Sequence, residues 1–298
     1  MIFNKMKWAP FALTLFTIPL VSSCSSDDEE EQQEVKRPIS VVVSENPMKE
    51  EESGSRITRA DDPTTTETLT SFKMMYQTDA EIKTEYTATK AGSPANWSLS
   101  PNYWPTSVGD TEKIDFYAYN EGTYIYNDGS PYISFTVASE ADSQVDFLVA
   151  HSNTSWKDNV GKVPLAFDHA CAAVQFYICK TSKVSEKNII VKSIDLKNVK
   201  NTGDYSYSSG WGESPTGSQD YRLNTGDITL TTSYQLLDKK WLFLIPQSKS
   251  GISLYIKYAV GDKDNLEKPI TLSGTWEAGT QYTINIRVGS SFLPQQQS

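Results

Sequence analysis

Residues 282–288 alternate without a break: Tyr282, Ile284, Ile286 and Val288 point one way, Thr283, Asn285 and Arg287 the other. A period of two is the mark of a half-buried β-strand. Runs of this kind recur behind turn punctuation. A first group covers 71–76, 113–119, 132–137 and 145–150. A second covers 170–179, 189–196, 227–231, 240–245, 252–260 and 280–288. Long heptad or amphipathic helical runs are missing, and nothing repeats every 20–50 residues, which excludes solenoids and propellers. The 298 residues leave room for two ordinary domains. The pattern predicts an all-β chain of two β-sandwiches joined near residues 163–170.

The start of the chain is organised differently. Lys5 and Lys7 precede an apolar run over 8–20, and Val21-Ser22-Ser23-Cys24 places a lone cysteine where cleavage should fall. The run is too short for a membrane span and reads as an export signal over residues 1–23. It resembles the bacterial lipobox, which implies lipidation of Cys24. Residues 25–31, Ser-Ser-Asp-Asp-Glu-Glu-Glu, are too polar to fold. They read as a solvated tether or as an address, since acidic residues at this place resemble the surface-export signal of Bacteroidetes lipoproteins.

Within 24–59 lies one apolar island. Ile39, Val41 and Val43 share a strand face, with Val42 alone on the other. Glu50-Glu51-Glu52 follow, and 53–70 reads as an exposed linker holding two basic cut sites, Arg56 and Arg59, the latter followed by Ala60.

The formal charge is -10, and losing residues 1–23 with Lys5 and Lys7 makes the chain more acidic still. Such a protein has no footprint for phosphate backbones, so nucleic acid is excluded as a partner. Cys171 and Cys179 fall in one apparent strand, about 26 Å apart by strand rise. A disulfide needs Cα atoms within about 7 Å, so the two are expected as buried free thiols.

Nothing forms a catalytic constellation. His151 and His169, the only histidines, sit at strand ends, where structural hydrogen bonding is the commoner role. His169 and Cys171 alone are too few for a zinc site. The 209–212 stretch, Ser-Gly-Trp-Gly, lacks the lysine of a phosphate loop. No cofactor, metal site or enzyme activity is expected. Trp104, Trp241 and Trp276 are predicted to be core. Tyr205, Tyr207, Trp211 and Tyr221 stand in a Gly/Ser-rich stretch and are candidate ligand-contact aromatics, for instance as a sugar-stacking platform, or else cover a core.

Several phrases together resemble the fimbrillin family of Bacteroidetes (FimA/Mfa-like subunits of type V pili). They are Tyr103-Trp104-Pro105, Ile114-Asp115-Phe116-Tyr117-Ala118-Tyr119, and the stretches 144–150, 163–170, 244–247 and 276–282. The resemblance implies two transthyretin-like β-sandwiches in tandem, here 60–165 and 166–298, behind the leader. It also implies export as an outer-membrane lipoprotein, cleavage after an arginine by a trypsin-like protease, and assembly with other fimbrillin subunits by donor-strand exchange. On that view Ile39, Val41 and Val43 form a removable strand, cleavage falls between Arg59 and Ala60 with Arg56 in reserve, and the product joins a fimbrium at the cell surface. After 280–288 only Phe292 and Leu293 are clearly apolar, and Pro294 interrupts a ladder. Such a tail is a poor donor strand, which leans toward a tip or accessory subunit with a host or bacterial surface ligand. The alternative is a surface glycan-binding lipoprotein of an outer-membrane uptake system.

Overall fold

The computed structural model describes residues 36–51, 68–78, 82–92, 96–100, 103–127, 130–224, 226–237 and 241–293. In chain order the strands begin with β1 (Ser40–Glu45), β2 (Lys49–Glu50), β3 (Ser71–Gln77), β4 (Ile82–Ala91), β5 (Asn96–Ser100) and β6 (Ile114–Tyr119). Next come β7 (Thr123–Asn127), β8 (Ser130–Thr136), β9 (Leu148–Thr154), β10 (Lys162–His169), β11 (Ala172–Lys180) and β12 (Ile189–Val199). Then follow β13 (Thr202–Ser206), β14 (Gly210–Trp211), β15 (Gln219–Arg222), β16 (Ile228–Thr229), β17 (Gln235–Leu236) and β18 (Leu242–Leu244). The last are β19 (Gln247–Ser248), β20 (Ser253–Val260), β21 (Lys263–Thr271), β22 (Thr275–Trp276) and β23 (Thr280–Val288). The chain is all-β.

The largest sheet has the order β1-β10-β9-β6-β3-β4-β5. Its inner face follows from the alternation in its strands. Val163, Leu165 and Phe167 of β10 are fully buried, as are Phe116 and Ala118 of β6, and they pack with Phe72, Met74 and Trp104. A second core gathers β11, β12, β18, β20 and β23 around Val174, Ile178, Ile194, Leu244 and Trp276. Trp104, Trp241 and Trp276 are all core residues. Cys171 and Cys179 are buried free thiols.

Residues 163–169 run within β10 as a strand of the first sheet, because the alternation of Val163, Leu165 and Phe167 gives the stretch a face that must be covered, and Ala170 already belongs to the second core. Hydrogen-bonded pairing also runs across residue 165. β13 lies beyond it and β8 before it, yet they pair antiparallel from Thr202 with Thr136 to Ser206 with Tyr132. The resulting sheet, β14-β13-β8-β7, hands Ile133 and Phe135 to the second core, which also takes Met75 and Tyr119.

The two sheet edges differ. β21 ends its sheet with exposed Lys263, Asp264 and Glu267, with half-buried Lys268 and with Pro269, a blunted edge that resists further pairing. The first sheet ends instead in β1, which is apolar on its inner face.

Candidate functional site

The segment 36–51 lies across both cores as a strap. β1 pairs parallel with β10 in unbroken register, from Ser40 with Lys162 to Glu45 with Phe167. Ile39 and Val41 are buried at 5% and 9% exposure, while Val42, the next residue, is 52% exposed. Val43 is partly buried on the same core. Burying one such aliphatic side chain stabilises by roughly 1.5–3 kcal/mol. The ladder is closed at both ends by Ser40 N donating to Gly161 O (3.0 Å) and Asn46 N donating to Phe167 O (2.9 Å). These bonds turn the odd-numbered carbonyls of β10 toward β1. Pro164 therefore faces the other way, where β9 reaches only Asp168 and His169, and its missing N–H breaks no rung.

Before β1 the strap bonds to the opposite margin of the same sheet. Pro38 bridges Tyr103, and Trp104 N donates to Arg37 O at 2.8 Å. The Arg37 guanidinium gathers the loop beyond, donating to Pro105 O (2.6 Å), to Val108 O and to the Asp110 carboxylate. Lys36 stands over the Tyr103 ring. After β1 the strap crosses to the second core. Asn46 Nδ2 donates to Asp168 Oδ1 (2.7 Å), Met48 packs on that core, and β2 pairs parallel with β23 at Thr280 and Gln281. Lys49 N donating to Gly279 O and Glu51 N donating to Gln281 O frame that short ladder.

Near the crossing lies a buried histidine–carboxyl pair. His169 Nδ1 and Asp146 Oδ2 are 2.7 Å apart, and both side chains are almost wholly enclosed. Burial raises the Asp146 carboxyl against the opposing pull of the His169 bond. Burial alone would lower His169, but its bond to Asp146 and the charges of Asp146, Glu45 and Asp168 outweigh that, and its pKa is raised. Glu45 belongs to the strap.

The candidate aromatics divide. Tyr205, Tyr207 and Trp211 do come together, edge to face, with Tyr205 5.7 Å from Trp211 and 5.9 Å from Tyr207. Their rings are turned onto Phe147 and Tyr117, the Trp211 indole donates to Ala170 O, and the Tyr207 hydroxyl donates to Ala118 O at 3.0 Å. Burial pushes the Tyr207 hydroxyl well above its usual range. Tyr221 stands apart on β15 at 1% exposure. Stacking needs an open face, and Tyr221 has none, while Tyr205, Tyr207 and Trp211 are half-buried with their rings packed on one another and on Phe147 and Tyr117.

Cys24, Arg56, Arg59 and Ala60 lie outside the described residues. Among the described residues no group of three or more His, Cys, Asp or Glu could hold a metal ion, and no helix is long and apolar enough to cross a membrane. Sequence reasoning missed Arg37, Asn46 and the groove residues Val163, Leu165 and Phe167. The alternation in β10 was a visible signal for the groove. Nothing local marks Arg37, whose acceptors lie about seventy positions away.

Fold and site together define an all-β protein whose N-terminal segment completes its own first sheet and reaches into its second core. The chain belongs to the fimbrillin-like family, whose model matches residues 58–298, so the strap precedes the matched region. The protein is accordingly structural and not an enzyme. Among solved structures, a fimbrial protein from Bacteroides vulgatus is 18% identical, with TM-score 0.55 over 84% of this chain and 95% of that one. A proposed cell adhesion protein from Bacteroides uniformis is 13% identical, with TM-score 0.54 over 87% and 94%. Another from Parabacteroides distasonis is 10% identical, with TM-score 0.53 over 86% and 90%. At these identities the likeness is one of fold. No curated protein sequence matches.

Proposed function

We propose that this chain is a structural or adhesive subunit of a fimbrium, built as two transthyretin-like β-sandwiches and displayed at the cell surface. It is exported as a lipoprotein through Cys24, cut after Arg59, and assembled with other fimbrillin subunits by donor-strand exchange. The observation that carries this reading is the docking of β1. Its inward side chains are core residues, yet they belong to a segment that precedes the family-matched region and enters by a single strand at a sheet margin. Removing it would uncover Val163, Leu165 and Phe167 together with the free edge of β10. An apolar open edge is costly, and another strand can satisfy it by main-chain bonds and alternate side chains.

The tip or accessory role is supported by the segment after β23. Phe292 is buried 5.6 Å from the Tyr258 ring, and the Tyr258 hydroxyl donates to Phe292 O at 2.6 Å. That segment serves the core of its own chain, which leaves it a weak donor.

N-terminal sequencing of the surface protein tests the proposal. A start at Ala60, with Arg59→Ala abolishing high-molecular-weight polymer, is the expected result. A persistent acylated Cys24, or polymer undiminished in Arg59→Ala, would overturn it.

A further inference from the structure

We infer that the outer face of the first sheet carries a binding cleft for a neutral saccharide residue, lined by Gln77, Asp115, Tyr117 and His151, with Asn153 steadying the Asp115 carboxylate. The register of three strands makes it. Gln77 of β3, Asp115 of β6 and Asn153 of β9 form one cross-strand row, and Met75, Tyr117 and His151 form the next. Alternation places all of these on the face opposite Phe116 and Ala118. On that face Met75 of the second row and, farther along, Tyr119 are covered by the second core. The cover stops at the polar row, and the ledge leaves an open cleft of about 200 Å³. Tyr207 and Ser208, from the turn joining β13 to β14, and Pro131 of β8 form its wall.

The groups converge as a recognition site does and a fold element does not need to. His151 Nε2 and Asn153 Nδ2 each lie 2.8 Å from Asp115 Oδ1, so the imidazole, the amide and the carboxylate hold one another in place. The carboxylate's other oxygen takes no hydrogen bond among the described residues. His151 stacks on Tyr117 at 4.9 Å and 14°, and Tyr207 tilts against the same ring at 4.9 Å. The His151 and Asp115 side chains remain 43% and 37% exposed. Polar contacts this exposed add little to stability, which leaves their ordered convergence without a folding rationale.

The chemistry selects the ligand class. A pyranose offers neighbouring hydroxyls that both donate and accept, together with an apolar ring face. The carboxylate accepts from hydroxyls, the Gln77 amide both donates and accepts, and the Tyr117–His151 stack supplies a flat surface. Asp115 disfavours acidic sugars, so the ligand is neutral. Burial, helped by the Asp115 charge, pushes the Tyr117 hydroxyl up to about 12, keeping it protonated throughout the physiological range. Binding at this cleft is independent of strap removal and of polymerisation.

The test is a neutral and acidic glycan array probed with the full exported chain, followed by calorimetric titration with D-galactose, D-glucose, D-mannose and N-acetyl-D-glucosamine. Saturable binding to a neutral sugar is expected. It should weaken by about tenfold or more in His151→Ala, which removes a charge-linked contact, and vanish in Ser208→Trp, which fills the cleft from an exposed turn. Both positions are exposed, so circular dichroism should be unchanged. No binding to any neutral glycan, binding confined to acidic glycans, or binding that survives Ser208→Trp would overturn the inference.

Discussion

Gly161 and Pro38 meet backbone to backbone: a Cβ placed on Gly161 would lie 2.8 Å from the Pro38 carbonyl oxygen and 2.9 Å from Trp156 Nε1. Gly161 also has φ +75°, in the left-handed region that L side chains avoid. The one-turn helix Trp156–Asn159, capped by Ser155, delivers the chain to that point, and the strap begins its ladder there. Gly161→Ala is expected to destabilise by about 1–3 kcal/mol. Limited proteolysis should then cut within 36–51 sooner than in the parent, with the rest of the chain still protected.

The strap's two faces should respond oppositely to truncation. Ile39→Ala removes a core side chain and is expected to cost about 2–5 kcal/mol in urea unfolding. Val42→Ala touches a half-exposed position and should stay within about 0.5 kcal/mol. Equal effects at the two sites would contradict the docking of β1.

Stability should depend on pH through His169. Its folded pKa lies above the ordinary 6.5, so the protonated ring favours the folded state. That contribution is complete below about pH 6.5 and is lost as pH rises through the raised folded value. Guanidinium midpoints measured from about pH 6 to about pH 9 should fall in the parent and fall less in His169→Gln.

Gln175 offers a stabilising substitution. Its side chain is 2% exposed on β11 beside Leu223 and Leu237, and neither amide atom has a hydrogen-bond partner among the described residues. An unsatisfied buried polar group costs about 1–3 kcal/mol. Gln175→Met, close in shape, should raise the thermal midpoint, and a lowered midpoint would show that the amide is satisfied in solution.

Local pattern carried much of this architecture. The stripe of Tyr282, Ile286 and Val288 is buried, as are Ile39 and Val41, because a period of two survives whatever the strand pairs with. Pairing itself was not legible. That β1 lies parallel to β10 depends on residues 122 positions apart, and that β13 crosses to β8 depends on residues 66 apart. Tyr205, Tyr207 and Trp211 looked available because glycine and serine surround them, yet the hairpin that holds them is folded onto Phe147. The Asp115, His151 and Asn153 set is invisible along the chain for the same reason. Only the register of β6 against β9 brings those residues together.

The parallel run of β1 beside β10 has a mechanical consequence. Tension along the strap's axis loads all its rungs in shear at once, whereas lifting one end breaks them singly. A segment held this way withstands a steady axial pull and yields to a competitor entering from a frayed end. Its exchange is thereby governed by where an invading strand first gains a foothold.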